Sequence, residues 1–286
     1  MSARAGSLST ILRHPGVWAG GGLLVLLVVM AAAAPIFAGY DPIEIVPRLR
    51  LRPPSGDHLL GTDASGRDVW ARVAYGARVS LSIGVTVAFL ALVTGALIGL
   101  VSGYIRVLDG VLMRIMDGVM ALPGILLAIA LVSLQGASLL TVIVAIFIPE
   151  IPRVARLVRS IVLSIREEPY VEAAIGLGTP TRVILFRHIL PNTFPALIVQ
   201  GTYIAASAIL LEALLSFIGA GLSPEIPTWG NTIAEGRDVF QRAPWIILAP
   251  GAFLAVTVLA INVMGDGLRD TLDPRLAKRV GGVAQQ

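Results

Sequence analysis

Six apolar runs of membrane-spanning length leave this 286-residue chain one route to a stable fold, a bundle of helices in a bilayer. A hydrocarbon core of about 30 Å takes about 20 apolar residues as helix, since no water is present to satisfy the backbone. The runs cover residues 17–38, 80–104, 111–134, 138–151, 194–218 and 245–264. The fourth is shorter, bounded by Gln135-Gly136 and by Pro149 and Pro152. The first is too long for a signal peptide and lacks a small-residue cleavage site, so it is read as retained. The expected fold class is all-α, a polytopic membrane protein of six transmembrane helices.

Arginine placement orients the bundle. With the N-terminus inside, the cytoplasmic side carries Arg4, Arg13, Arg106, Arg114, six arginines from Arg153 to Arg187, Arg269, Arg275, Lys278 and Arg279, 14 cations in all. The other side carries 8, offset by eight acids. Both termini are therefore expected in the cytoplasm: an N-terminal segment 1–16, the first span 17–38, an external loop 39–79, a membrane domain 80–276 and a tail 277–286. The cations are scattered over short loops rather than gathered on one face, which argues against nucleic acid as a partner.

The external loop starts with extended, proline-rich chain (Pro42, Pro47, Pro53, Pro54). Turn residues follow over 63–66, and Val69, Val73 and Ala74 then recur as in a short surface helix. It is either an elbow leading into the second span or a contact surface for an external partner.

Residues 153–192 interrupt the membrane pattern with six arginines. Arg153, Arg156, Arg159 and Arg166 fall on one helical face, opposite Val154, Leu157, Val158, Ile161, Val162 and Ile165. Glu167-Glu168-Pro169 opens a new short helix through Leu177. Gly178 is a left-handed stop, with Thr179 as the next N-cap and Pro180 at the first helical position. Pro191-Asn192 is expected to end that third helix. The reading is helix, short helix, helix, all at the cytoplasmic face.

Several chemistries are missing. The only lysine, Lys278, lies outside any G-x-x-x-x-G-K-[ST] loop, so ATP is not bound by that route. His14, His58 and His188 lie in three separate segments, cysteine is absent, and neither G-x-S-x-G nor HExxH occurs. No catalytic residue, metal site or cofactor site is expected in this chain. Glu212 stands out near the outer end of the fifth span, because intramembrane acids usually face a bundle interior or a water-filled path. It is either a translocation-path carboxylate, with Ser216 beside it, or a packing carboxylate satisfied by that serine.

EAAIGLG followed by TPTRVILFRHILPN resembles the EAA motif of ABC importer permeases. The matching positions are Glu172, Ala173, Ala174, Gly178, Leu190 and Pro191, with His188 where the general pattern has isoleucine. The peptide and nickel branch often reads HILPN there. The resemblance extends over LLGTD and GRD (59–63 and 66–68), GARVSL (76–81), Arg114, Asp117, Pro123, ARLVR (155–159), LSFIGAGL (215–222), Trp229-Gly230 and GDGLRDTLDPRL (265–276). These are similar to the second permease subunit of dipeptide and oligopeptide importers. Two places depart from the pattern, 149–152 and Glu225.

The resemblance implies a type I ABC importer permease fold in a bacterial inner membrane, with a cytoplasmic coupling helix around Glu172–Gly178 docked on an ATP-binding subunit. It implies a heterodimeric second permease, two ATP-binding chains that hold ATP and magnesium, and an extracytoplasmic binding protein. Asp63, Arg67, Asp68 and Trp229 become the candidates for contact with that binding protein. Di- or oligopeptides are the implied cargo, among relatives that move nickel, glutathione or opines. An ion-coupled secondary transporter using Glu212, and a membrane scaffold, are the competing classes.

Overall fold

The computed structural model describes residues 14–272, nearly all of them helical. Arg4, Arg13, Arg275, Lys278, Arg279, the tail 277–286 and the end of the GDGLRDTLDPRL stretch lie outside the described residues. The main helices are α1 (Pro15–Ala32), α2 (Val69–Tyr104), α3 (Arg106–Met120), α4 (Gly124–Gln135), α5 (Leu139–Phe147), α6 (Ile151–Ile165), α7 (Pro169–Gly176), α8 (Leu190–Phe217), α9 (Trp229–Gly236) and α10 (Trp245–Leu272). The long loop before α2 and the helix α9 lie at one end of the bundle, here the loop end. Tyr104 and α7 lie at the other, the module end.

The six expected spans are not six separate long helices. Four stretches, Pro15–Ala32, Val69–Tyr104, Thr181–Phe217 and Trp245–Leu272, are long and apolar enough to cross a bilayer alone. A fifth is made by α3 and α4, bent by 82° at Pro123. The fourth run, at 9 residues of α5, is too short to span. It continues through a 3-10 turn, Ile148–Glu150, into α6.

That continuation corrects the placement of the arginine-bearing helix. Instead of lying wholly at the membrane face, α6 packs parallel along α2 in the most extensive helix contact of the bundle. Glycines make it possible. A Cβ at Gly95, Gly99 or Gly103 would lie 2.5, 2.7 and 2.7 Å from the Cβ atoms of Val154, Val158 and Val162. Small residues at this spacing let backbones approach closely in the absence of a hydrophobic drive between helices. The amphipathic spacing is real, with Val154, Val158 and Val162 buried and Arg153 and Arg156 exposed.

The expected surface helix before the second span is also absorbed. From Val69 it runs without a break into α2, started by the Asp68 carboxylate, which accepts from Ala71 N at 2.7 Å. The boundary expected at 79–80 therefore falls inside a helix. Pro191 does not end a helix either. A three-residue helix Thr181–Val183, a π-turn Ile184–Ile189 and α8 run on as one rod. Pro191 has no N–H to give to an earlier carbonyl, and the wide turn before it is where the hydrogen-bond register shifts.

Candidate coupling module and transport path

The short helix α7 is anchored on one side and free on the other. Val171 and Ala174 are buried, and Val171 packs into the core that holds Ile184, Leu185 and Ile189 of the π-turn. Glu172, Ala173, Ile175 and Leu177 are exposed. Leu177 is 86% exposed, far more than a soluble surface ordinarily leaves a leucine. Gly178 takes φ +73, and the amides of Gly178 and Thr179 close the helix on Ile175 O and Ala174 O at 2.9 and 3.0 Å. A residue with a Cβ pays about 1–2 kcal/mol for that conformation. The following helix starts one residue later than expected: Pro180, not Thr179, occupies its N-cap, without a side-chain cap. Leu190 and Pro191 begin α8, half-buried. Asn192, the last residue of the HILPN match, ties the two parts together. Its Nδ2 donates to Tyr170 Oη at 3.2 Å and to His188 O at 2.7 Å.

At the loop end, the four residues expected to meet an external protein are mostly interior. Asp63 and Trp229 are 0% exposed and Asp68 is 4% exposed. Asp63 accepts from Arg67 Nε at 2.6 Å and from Arg72 at 3.2 Å. Both arginines also reach Glu235 on α9, Arg72 at 3.0 Å. Two acids and two arginines thus close a neutral network that fastens the loop to α2 and α9. Burial pushes the Glu235 carboxyl up, opposed by the charges of Arg72 and Arg67. Asp68 also pairs with His58 Nδ1 at 2.8 Å, and Trp229 Nε1 donates to Val73 O at 3.0 Å. Direct contact with a partner is not what these side chains are placed to do. Arg72 and Glu235 were missed because they meet across 163 residues of sequence.

Glu212 is 0% exposed and accepts from Ser216 Oγ at 2.9 Å, one helical turn on. The hydroxyls of Thr228 and Ser80 face the same carboxyl. Its Oε1 is hydrogen-bonded, while Oε2 is buried without a hydrogen-bond partner among the described residues.

A second set of charges runs along α6. Asp109 of α3 receives two bonds from Arg159, at 2.5 and 2.6 Å, and Asp117 receives one from Arg156 at 2.6 Å. Glu150 receives one from Arg153 at 2.9 Å. Sequence reading missed these pairs because the arginines were assigned to the water-facing side of a helix at the cytoplasmic face. An acid inside an apolar run, Glu150, was the signal that could have found them. No group of three metal-ligating side chains occurs among the described residues.

Residues 91–278 match the family described as "Binding-protein-dependent transport system inner membrane component", and residues 7–54 match the "N-terminal TM domain of oligopeptide transport permease C". The chain is 55% identical to the "Probable peptide ABC transporter permease protein y4tQ" of Sinorhizobium fredii, over 93% of this chain and 91% of that protein. It is 42% identical to the "Dipeptide transport system permease protein DppC" of Alkalihalophilus pseudofirmus, over 89% and 85%. Its fold is similar to a chain of the MetNI methionine ABC transporter in an inward-facing form, with a TM-score of 0.57 over 71% of this chain and 96% of that one, at 19% identity. Nothing in these relationships supports an ion-coupled carrier. The chain belongs to the inner-membrane component family of binding-protein-dependent transport systems: it is a multi-pass permease subunit of an ABC importer, working with separate ABC components that carry the ATPase activity.

Proposed function

We propose that this permease moves di- or oligopeptides inward by alternating access, with α7 as the lever that partner ATPases push. The observation that carries the reading is the two-sidedness of α7. Val171 and Ala174 seat it on the π-turn that leads into α8, while Glu172, Ala173, Ile175 and Leu177 are left for a partner. Displacing α7 then moves the start of a span, through Val171 and through Tyr170 and Asn192. Gly178 sets the angle at which the lever leaves, and Leu190 and Pro191 begin the rod it turns.

In this reading both termini face the cytoplasm, a second permease chain completes the path, and two ATP-binding chains hold ATP and magnesium. An extracytoplasmic binding protein delivers cargo to the loop end, where the Asp63, Arg67, Asp68 and Trp229 network shapes the surface from beneath. Glu212 and Ser216 brace α8 behind the path. Peptide is the cargo named for the relatives at 55% and 42% identity.

The test is vanadate-sensitive dipeptide uptake by the reconstituted transporter. Glu172→Lys and Gly178→Val are expected to abolish uptake while leaving the chain in the membrane and bound to its permease partner. Normal uptake by either variant defeats the lever.

A further inference from the structure

Helix lengths put Glu150 and Arg153 about half a hydrocarbon core from the loop end, by two counts from the 135–139 turn and one along α2. From Leu139 to Glu150 is 11 residues of near-continuous helix, about 16 Å at about 1.5 Å each, or half of a core of about 30 Å. The neighbouring half-helix α4, of 12 residues, descends about 18 Å from the same end to Gly124. A Cβ at Gly124 would lie 3.2 Å from Pro149 Cβ, so the two chain breaks are adjacent. The third measure is the exposed apolar stripe of α2, Val85, Phe89, Val93 and Leu97, which is centred near Ala91. Gly95 meets Val154, and Glu150 is one turn above, level with that centre.

A charged pair at this depth is not left facing lipid, where each charge costs several kcal/mol. Glu150 is 14% exposed and Arg153 is 59% exposed on this chain. Beside them the third span is broken through 82° at Pro123, and the fourth carries its 3-10 turn at Ile148–Glu150. Ala121, Leu122 and Pro123 at the bend are exposed as well. Paired broken helices at mid-depth, with ionisable groups between them, are how membrane transporters build a substrate site. Towards the module end the same face continues as Arg156–Asp117 and Arg159–Asp109, a polar wall.

We propose that Glu150 and Arg153 form a transit site for the charged ends of a zwitterionic peptide, Glu150 taking the ammonium and Arg153 the carboxylate. The inference rests on the peptide-importer reading above. Unoccupied, the two groups neutralise each other at 2.9 Å. A zwitterion replaces that one ion pair with two of the same kind, so it is accepted without being held tightly. A path needs such balance, since cargo must leave as readily as it enters. The lower pairs are tied across two helices and offer no free charge to trap it.

The chain has no cysteine, which makes the test direct. Glu150→Cys, Arg153→Cys and, as a control on the exposed apolar stripe of α2, Phe89→Cys are placed one at a time in the complete transporter reconstituted in vesicles. A charged, membrane-impermeant methanethiosulfonate is applied, and label is read on this chain alone. A thiol must ionise to react and an apolar setting keeps it neutral, so labelling at 150 and 153 is expected at least about tenfold faster than at 89. Saturating alanyl-alanine, with its binding protein and ATP, is expected to slow both severalfold. In a second measurement, Glu150→Gln is expected to lower dipeptide uptake per ATP hydrolysed without changing complex assembly. Labelling as slow as at Phe89→Cys means the pair is sealed in a subunit interface and overturns the site. Fast labelling that the dipeptide leaves unchanged overturns it too. A wild-type transporter that takes up no dipeptide refutes the peptide reading itself, whereas normal wild-type uptake with unprotected cysteines refutes the site alone.

Discussion

Arg72, in the first turn of α2, and Glu235, near the end of α9, meet at 3.0 Å across 163 residues of sequence. Asp63 and Arg67 complete the group, and Asp63 has no exposure at all. Replacing Arg72 with methionine keeps the volume and strands buried carboxylate charge, with only Arg67 left to share between two acids. Removing one partner of a buried pair costs about 3–5 kcal/mol, and Arg67 places this case at the low end. The check is thermal unfolding of the detergent-purified chain. A loss below about 1 kcal/mol would place the network among surface ion pairs in its energetic effect.

Glu235 also carries a pH signature. Burial raises its carboxyl above the ordinary range against the pull of Arg72 and Arg67. The folded chain therefore keeps a proton at pH values where the unfolded chain has lost it. The stabilisation from this group is complete below the unfolded value and is lost as pH rises through the folded one. Across about pH 4 to 6, the melting temperature of wild type minus that of Glu235→Gln is expected to fall. A difference that rises with pH contradicts the assigned direction.

Two glycines of neighbouring helices should respond oppositely. At Gly99 a valine meets Ala155 O and Val158 Cβ, at 2.6 and 2.7 Å from its first added atom. Gly99→Val is expected to cost about 3 kcal/mol or more by overpacking, read as lost yield of folded chain. Gly110, mid-helix in α3, has nothing within 4 Å. Gly110→Ala is expected to stabilise by about 0.5–1 kcal/mol. Equal behaviour of the two variants would mean that α2 and α6 are not in close contact.

Glu212→Gln preserves the acceptor for Ser216 Oγ and the shape of the side chain. Uptake and melting temperature are expected to stay near wild type, with a change within about 1 kcal/mol for one retained hydrogen bond. Glu212→Ala empties a fully buried position and is expected to lose folded protein. If Glu212→Gln folds normally but stops transport, the carboxylate touches cargo and the bracing role is wrong.

Much of the bundle was legible from residues 17–264 because apolar length and proline spacing are local properties. The short helix at 169–176 and its stop at Gly178 followed from Glu168, Pro169 and glycine's freedom at positive φ. The Pro191 break was misread for the same reason. A proline forbids one hydrogen bond locally, and only the surrounding packing decides whether a π-turn absorbs it.

The sequence by itself determined a helical membrane permease, the two-sided character of the 153–165 helix and the position of the short helix that is proposed as the lever. Tertiary structure decided which surface each charge meets. Asp63, Asp68 and Trp229, the candidates for contact with a binding protein, are buried: Arg67 and Arg72 close on Asp63, His58 on Asp68, and Val73, far away in the chain, on Trp229. Arg153 was expected on a helix at the cytoplasmic face; Gly95, Gly99 and Gly103 bring that helix alongside α2. Amphipathic spacing tells which side of a helix is polar. How deep in the bilayer that side lies depends on the helix it packs against.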